Sequence, residues 1–199
     1  MTNTEMPRDI DPDSGNRLPL PRREDLDART EPIFERLADA SGGSLAGLQG
    51  PGGIRLHSPP VAAALHEANL YLRYETSFGA AVREIAILVT AREMECPFEW
   101  AAHEPAAIRA EVSPEVIEAI RHRRATDGLG ETEAAVIALG REIFRDHRVT
   151  PETFATALRL FGRRGIVDLV ALIGQYAATA TLLIAFDQQL RPGQGSPLP

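Results

Sequence analysis

Between Arg83 and Ala107 the chain carries its one thiol, an imidazole, its single tryptophan and five carboxylates, Glu84 and Glu99 among them. Cys96 directly precedes Pro97, and proline favours the first position of a helix, so Cys96 falls at or near an N-cap. Cys96, Glu99, Trp100, His103 and Ala107 then share one helical face, roughly a third of the circle wide. Glu99 and His103 stand at i and i+4, where side chains touch. The other members of that face are mainly alanine (Ala106, Ala110), which leaves room for a pocket. Glu84, in the preceding stretch, borders an apolar stripe of Val82, Ile85, Leu88 and Val89. A carboxylate there is either held by a partner or tuned for proton transfer. His103 is its natural partner if the two helices pack antiparallel.

Such groups could do general acid–base chemistry, with His103 as proton donor or shuttle and a carboxylate to orient it. Structural readings of the same residues stay open. The Glu99–His103 pair could simply support a helix by about 0.2–0.5 kcal/mol, Trp100 could be core, and Cys96 an inert buried thiol. Glu84 could pair at the surface with Arg83 or Arg92. Arg83, Arg73 and Arg92 are the candidates to receive an anionic substrate, and Tyr71 and Tyr74 either line a cavity or pack. His57, His66, His122 and His147 lack comparable neighbours and read as structural or solvated. Glu99 and His103 have no recognisable third metal ligand, so neither a metal nor a cofactor is expected.

The elements that must position these groups read as helices throughout. Of 199 residues, 44% are hydrophobic and 25% charged, which is enough for a core without staples. Apolar spacing, proline starts and caps predict helices over 25–40, 59–77, 80–93, 97–110, 114–122 and 131–147. A further helix opens at Pro151, and a long apolar one runs over 166–190. Strand alternation is absent, so the fold class is all-α. Residues 1–22 read as an extended or disordered arm, 23–191 as a single helical domain and 192–199 as a disordered tail. The glycine-rich stretches 41–44 and 50–53 read as a loop; they follow no strand, which argues against a nucleotide loop.

Composition removes several function classes. All 21 basic residues are arginine, which excludes Schiff-base chemistry, covalent pyridoxal phosphate and the lysine of a phosphate-binding loop. A net charge of −7 argues against a nucleic-acid partner. The lone Cys96 permits no intramolecular disulfide and no multi-cysteine zinc site. The first residues show no apolar signal region, so a cytoplasmic location is expected. Residues 166–186 are long enough to span a bilayer. They carry Asp168, Gln175, Thr179 and Thr181, however, so a fully buried central helix of an oligomer is the better reading, with no membrane partner.

The runs Arg83-Glu84-Ile-Ala-Ile-Leu88 and Glu99-Trp100-Ala-Ala-His103 resemble the carboxymuconolactone decarboxylase-like family, which includes the alkylhydroperoxidase D type enzymes. The likeness continues through Gly165-Ile-Val-Asp168-Leu and Gly174-Gln-Tyr176. It implies an alkylhydroperoxidase D-like helical domain that assembles as a homo-oligomer, a trimer or hexamer. Family peroxidases use a glutamate, a Cys-x-x-Cys pair and a histidine four residues after the second cysteine. Glu84, Cys96 and His103 match that pattern, but Glu99 stands at the second cysteine, so the dithiol cycle is not available. The resemblance therefore implies a carboxy-lyase-like enzyme acting on a small carboxylated lactone or ring acid. Glu84, Glu99, His103 and Cys96 would be its catalytic residues, with Trp100, Arg83 and Tyr74 against the substrate. Two alternatives remain: a thiol peroxidase using Cys96 with an external thiol, and a non-catalytic oligomer that binds a small ligand.

Overall fold

The computed structural model describes residues 7–39, 44–191 and 193–199. Residues 1–6 of the expected arm, 40–43 of the expected loop and Pro192 of the expected tail lie outside the described residues. The described residues form eight α-helices and no strand. The chain is all-α. It divides into two compact units, Met1–Ala68 with Thr181–Gly195, and Asn69–Ala180 with Ser196–Pro199.

In the first unit lie α1 (Glu31–Ala38), α2 (Pro51–Leu56) and the first turns of α3 (Pro59–Tyr74). Ile33, Leu56 and Ala62 form its small core, with Leu26, Phe34, Leu37 and Leu48 packed around them. α1 begins later than its apolar spacing predicts. The Asp27 carboxylate accepts the backbone N–H groups of Arg29 and Thr30 at 3.1 and 3.0 Å, a local turn that competes with helix. α2 corrects the reading of 50–53 as loop. Pro51 takes the start of the helix, and Gly53 backs so closely onto the Leu48 carbonyl that a Cβ would sit 1.9 Å from its oxygen. Here the glycines permit a tight helical approach instead of breaking the chain. Residues 10–18 fold into hydrogen-bonded turns in the same unit. Asp11 accepts from the backbone N–H of Ser14, and the Asn16 amide donates to Gln188 at 3.0 Å.

The second unit holds α4 (Ala80–Glu93), α5 (Pro97–Arg109), α6 (Pro114–Arg121), α7 (Glu131–Arg141) and most of α8 (Pro151–Ala185). Its hydrophobic core runs through Ile85–Val89 of α4, Trp100, Ile120, Val136, Leu139, Leu169 and Leu172. Every residue from Glu84 to Arg92 is buried, which makes α4 the central helix. The last apolar helix, expected as the buried centre of an oligomer, is only partly covered within the single chain. Half of the most apolar window of α8 is buried, and Val167 is 66% exposed. α8 is long and apolar enough to cross a membrane by length and composition. Gly162, at φ 68° and ψ 178°, breaks it into two helices, matching the separation between Phe161 and Ile166 in the apolar pattern. The second of these stops at Ala185 rather than 190. α7 passes into a wider π turn, Glu142–Asp146, which His147 ends in the left-handed region. The predicted cap of α6 is present, with Ser113 Oγ accepting the Val116 N–H at 3.4 Å.

α4 and α7 approach so closely that a Cβ on Gly140 would lie 2.5 Å from Val89 Cγ1. Gly140→Ala should therefore destabilise the protein by about 1–3 kcal/mol through overpacking, despite alanine's better helix propensity. Adding Val89→Ala should recover part of that loss, and chemical denaturation of the single and double variants measures both effects.

Candidate active site

The turn between α4 and α5 sets the register of the two helices. Glu95 adopts φ 51°, held by Arg92 Nη1 at 2.8 Å and Arg123 Nη2 at 2.6 Å on its carboxylate. The Cys96 N–H reaches back to the Ala91 carbonyl at 2.9 Å, and Cys96 is the N-cap of α5. α5 thus runs back along α4. Glu84 in the first turns of α4 meets His103 in the middle of α5.

The meeting is direct. His103 Nδ1 lies 2.7 Å from Glu84 Oε2, and its Nε2 faces Glu99 Oε1 at 3.3 Å. The imidazole is thus held between two carboxylates, one from each helix. The three side chains are nearly sealed, with 5%, 3% and 5% exposure for His103, Glu84 and Glu99. Arg83 Nε stands 3.3 Å from the other oxygen of Glu84. The Tyr176 ring, from α8, meets the imidazole edge-on with centroids 5.1 Å apart. Tyr176 belongs to the Gly174-Gln-Tyr176 run, yet spacing alone gave no sign that α8 delivers it to His103.

Burial opposes charge on His103, but the contacts with Glu84 and Glu99 outweigh it and raise its pKa. Burial likewise works to raise the pKa of Glu84, and the bond to His103 with the fields of Arg73 and Arg83 brings it down. That direction favours an imidazolium, with Nδ1–H donated to Glu84 and Nε2–H turned toward Glu99. The Nδ1 bond is short and two-sided support from Arg83 fixes its acceptor. The Nε2 contact is longer, so Nε2 carries the more transferable proton.

The other expected site residues scatter around this centre. Cys96 is buried, and that burial pushes its thiol up to about 12, outweighing hydrogen bonding from the backbone of Glu99. Trp100 is fully buried; its indole N–H donates to Glu104 at 2.9 Å, and the Arg121 guanidinium covers its ring at 5.0 Å. Tyr74 is 55% exposed. Arg92 is committed to the Arg121 carbonyl at 2.6 Å and to Glu95. Arg83 bonds Glu84 and, through Nη1, the Arg73 carbonyl at 2.6 Å. Both nitrogens of His103 face carboxylates, and no group of three metal-ligating side chains occurs among the described residues. A groove of about 450 Å³ lies elsewhere, in the first unit, between Arg29, Arg36, His66 and Glu67.

With this geometry in place, comparison with known proteins is informative. Residues 59–142 match the Carboxymuconolactone decarboxylase family. The matched stretch runs from the start of α3 past the end of α7. It contains Glu84, Cys96, Glu99 and His103, and it leaves Tyr176 outside. Among solved structures, the fold is similar to a cysteine-to-alanine variant of the debrominase Bmp8 in complex with 2,3,4-tribromopyrrole. That match has a TM-score of 0.68 and 16% identity, over 87% of this chain and 90% of the other. At this identity the likeness shows a shared fold. No match is found among curated proteins.

Two outcomes follow from the electrostatics. Stability from the raised His103 pKa is complete below the ordinary value of 6.5 and fades as pH climbs through the folded value. Stability from the lowered Glu84 pKa is complete above the ordinary 4.5 and fades as pH falls through the folded value. The stability gap between the native protein and His103→Gln, measured by urea denaturation, should therefore be widest between those ordinary values and shrink on either side. Separately, Cys96 should resist a disulfide reagent such as DTNB at pH 8 in the native protein. It should react fully once the chain is unfolded in denaturant.

Proposed function

We propose that this protein is an enzyme performing acid–base chemistry on a small carboxylated lactone or related ring acid, by decarboxylation or double-bond isomerisation. One observation carries the reading: an imidazole lies buried between two carboxylates on the central helical hairpin, with Nδ1 at 2.7 Å and Nε2 at 3.3 Å from them. Membership of residues 59–142 in the matched family stretch supports the substrate class. In decarboxylation the bond to the departing carbon dioxide breaks and its electron pair enters an enolate or dienolate, which a proton must quench at carbon. His103 Nε2, relayed through Glu99, supplies that proton, while Glu84 holds the ring in place and stabilises its charge. Isomerisation uses the same pair in both directions, removing a proton at one carbon and returning it at another.

The thiol-peroxidase alternative lacks comparable support, since Cys96 is sealed and its thiolate disfavoured. Self-association into a trimer or hexamer belongs to the same reading, and the exposed Val167 and Val170 on α8 support it.

The test is turnover of a panel of carboxylated lactones and ring acids, 4-carboxymuconolactone among them, followed by absorbance and by release of carbon dioxide. The native protein should convert at least one member, and His103→Ala should lower its kcat by about 10²–10⁴-fold with the helical fold intact. Conversion by His103→Ala at the native rate would overturn the assignment.

A further inference from the structure

Among the three arginines able to receive an anion, two are already committed. Arg92 is bound to Arg121 and Glu95, and Arg83 to Glu84 and the end of α3. Arg73 differs. Its Nε is buried and has no hydrogen-bond partner, although a buried guanidinium nitrogen ordinarily finds an acceptor. The residue sits in the last turn of α3, pinned by the Arg83 bond to its carbonyl. Its guanidinium lies 5.5 Å from the ring centroid of the exposed Tyr74. Its charge is felt by Glu84, Glu99 and Tyr176, the same groups that surround His103. Arg73 therefore stands beside the acid–base centre, half-buried, with donor capacity to spare.

Charge balance around the centre points the same way. Two carboxylates, Glu84 and Glu99, face the His103 imidazole and the guanidiniums of Arg83 and Arg73. Glu84 is answered by His103 and Arg83, and Glu99 by His103. The nearby acids Glu104 and Asp168 have other partners, Trp100 with Arg121, and Tyr71 with Arg164. The Arg73 guanidinium feels both carboxylates through space, yet its buried Nε bonds neither. A single carboxylate would satisfy the orphaned Nε, since a guanidinium edge takes a carboxylate in a two-bond fork.

We propose that Arg73 is the residue that binds a carboxylate of the substrate. The proposal rests on the acid–base reading above and adds the anchoring residue. A carboxylate gripped by Arg73 is stabilised where it is and is retained, so a carboxylate lost as carbon dioxide would be a second one, and isomerisation would act elsewhere on the ring.

The experiment is isothermal titration of the full-length protein at pH 7 with benzoate and with its neutral isostere benzamide. The native protein should bind benzoate about 10-fold or more tightly than benzamide, and Arg73→Met should bring the two within about 2-fold. Arg73→Lys, which keeps the charge but loses the fork, should fall between them. Equal binding of the two probes by the native protein, or a preference that survives in Arg73→Met, overturns the proposal. Should Arg73→Met fail to fold, the Lys variant decides: an undiminished preference counts against Arg73 and a reduced one supports it. Titration reads binding without turnover. An Arg73-dependent preference in a protein that converts no ring acid would thus overturn only the acid–base reading. Turnover without the preference would overturn only the role of Arg73.

Discussion

A histidine buried between two glutamates governs much of what this molecule can be. Removing three ionisable groups from water is expensive, and the attraction between them recovers that loss only when geometry is good and every charge is answered. Here Glu84 and Glu99 clamp the two nitrogens of His103, and Arg83 backs Glu84 from the other side. Deleting His103 would leave the buried Glu99 carboxylate without its partner, and deleting either glutamate would leave the imidazole with one. The arrangement therefore demands that α4 and α5 keep their register to within a fraction of an ångström, and the rest of the second unit is organised to hold it.

That register is held from several directions. The strained turn at Glu95 is fastened by Arg92 and Arg123. The buried run Glu84–Arg92 has neighbours on all sides, and Gly140 lets α7 press against Val89. Trp100 fills the core on the same helix as His103, fastened by Glu104 and Arg121. Close packing of this kind makes the site stiff, which suits chemistry that depends on where one proton sits. The same packing keeps the Cys96 thiol protonated, which disfavours thiolate chemistry there.

At the edge of the centre lies Arg73, with an orphaned buried Nε, beside the exposed Tyr74. A buried proton donor with an outward-lying cation is a sensible layout for a small anionic ring compound. Under the proposed function, the cation would fix one end of the ligand and the donor would address the other.

Much of this was legible in the residues themselves. Helical periodicity and the proline starts predicted α3 to α8, because amphipathic spacing and caps act within a few residues of each other. The i, i+4 contact of Glu99 with His103 and the N-cap position of Cys96 are local for the same reason. The meeting of Glu84 with His103 was conditional on how two helices pack, and the structure met the condition. Other features were out of reach. Gly50 to Gly53 look like a breaker, and only the close approach to Leu48 makes them a helix. Asp11 to Asn16 look like an arm, because turns held by Asp, Ser and Asn side chains leave no apolar period. The identity of the central helix, the arrival of Tyr176 beside the imidazole and the orphaned nitrogen of Arg73 depend on contacts between residues far apart in the chain. Sequence by itself determined the helices and the chemical groups available, since both follow from neighbours along the backbone. Tertiary structure alone decided which groups share a charge, because electrostatic partnership depends on distance through space and on the exclusion of water.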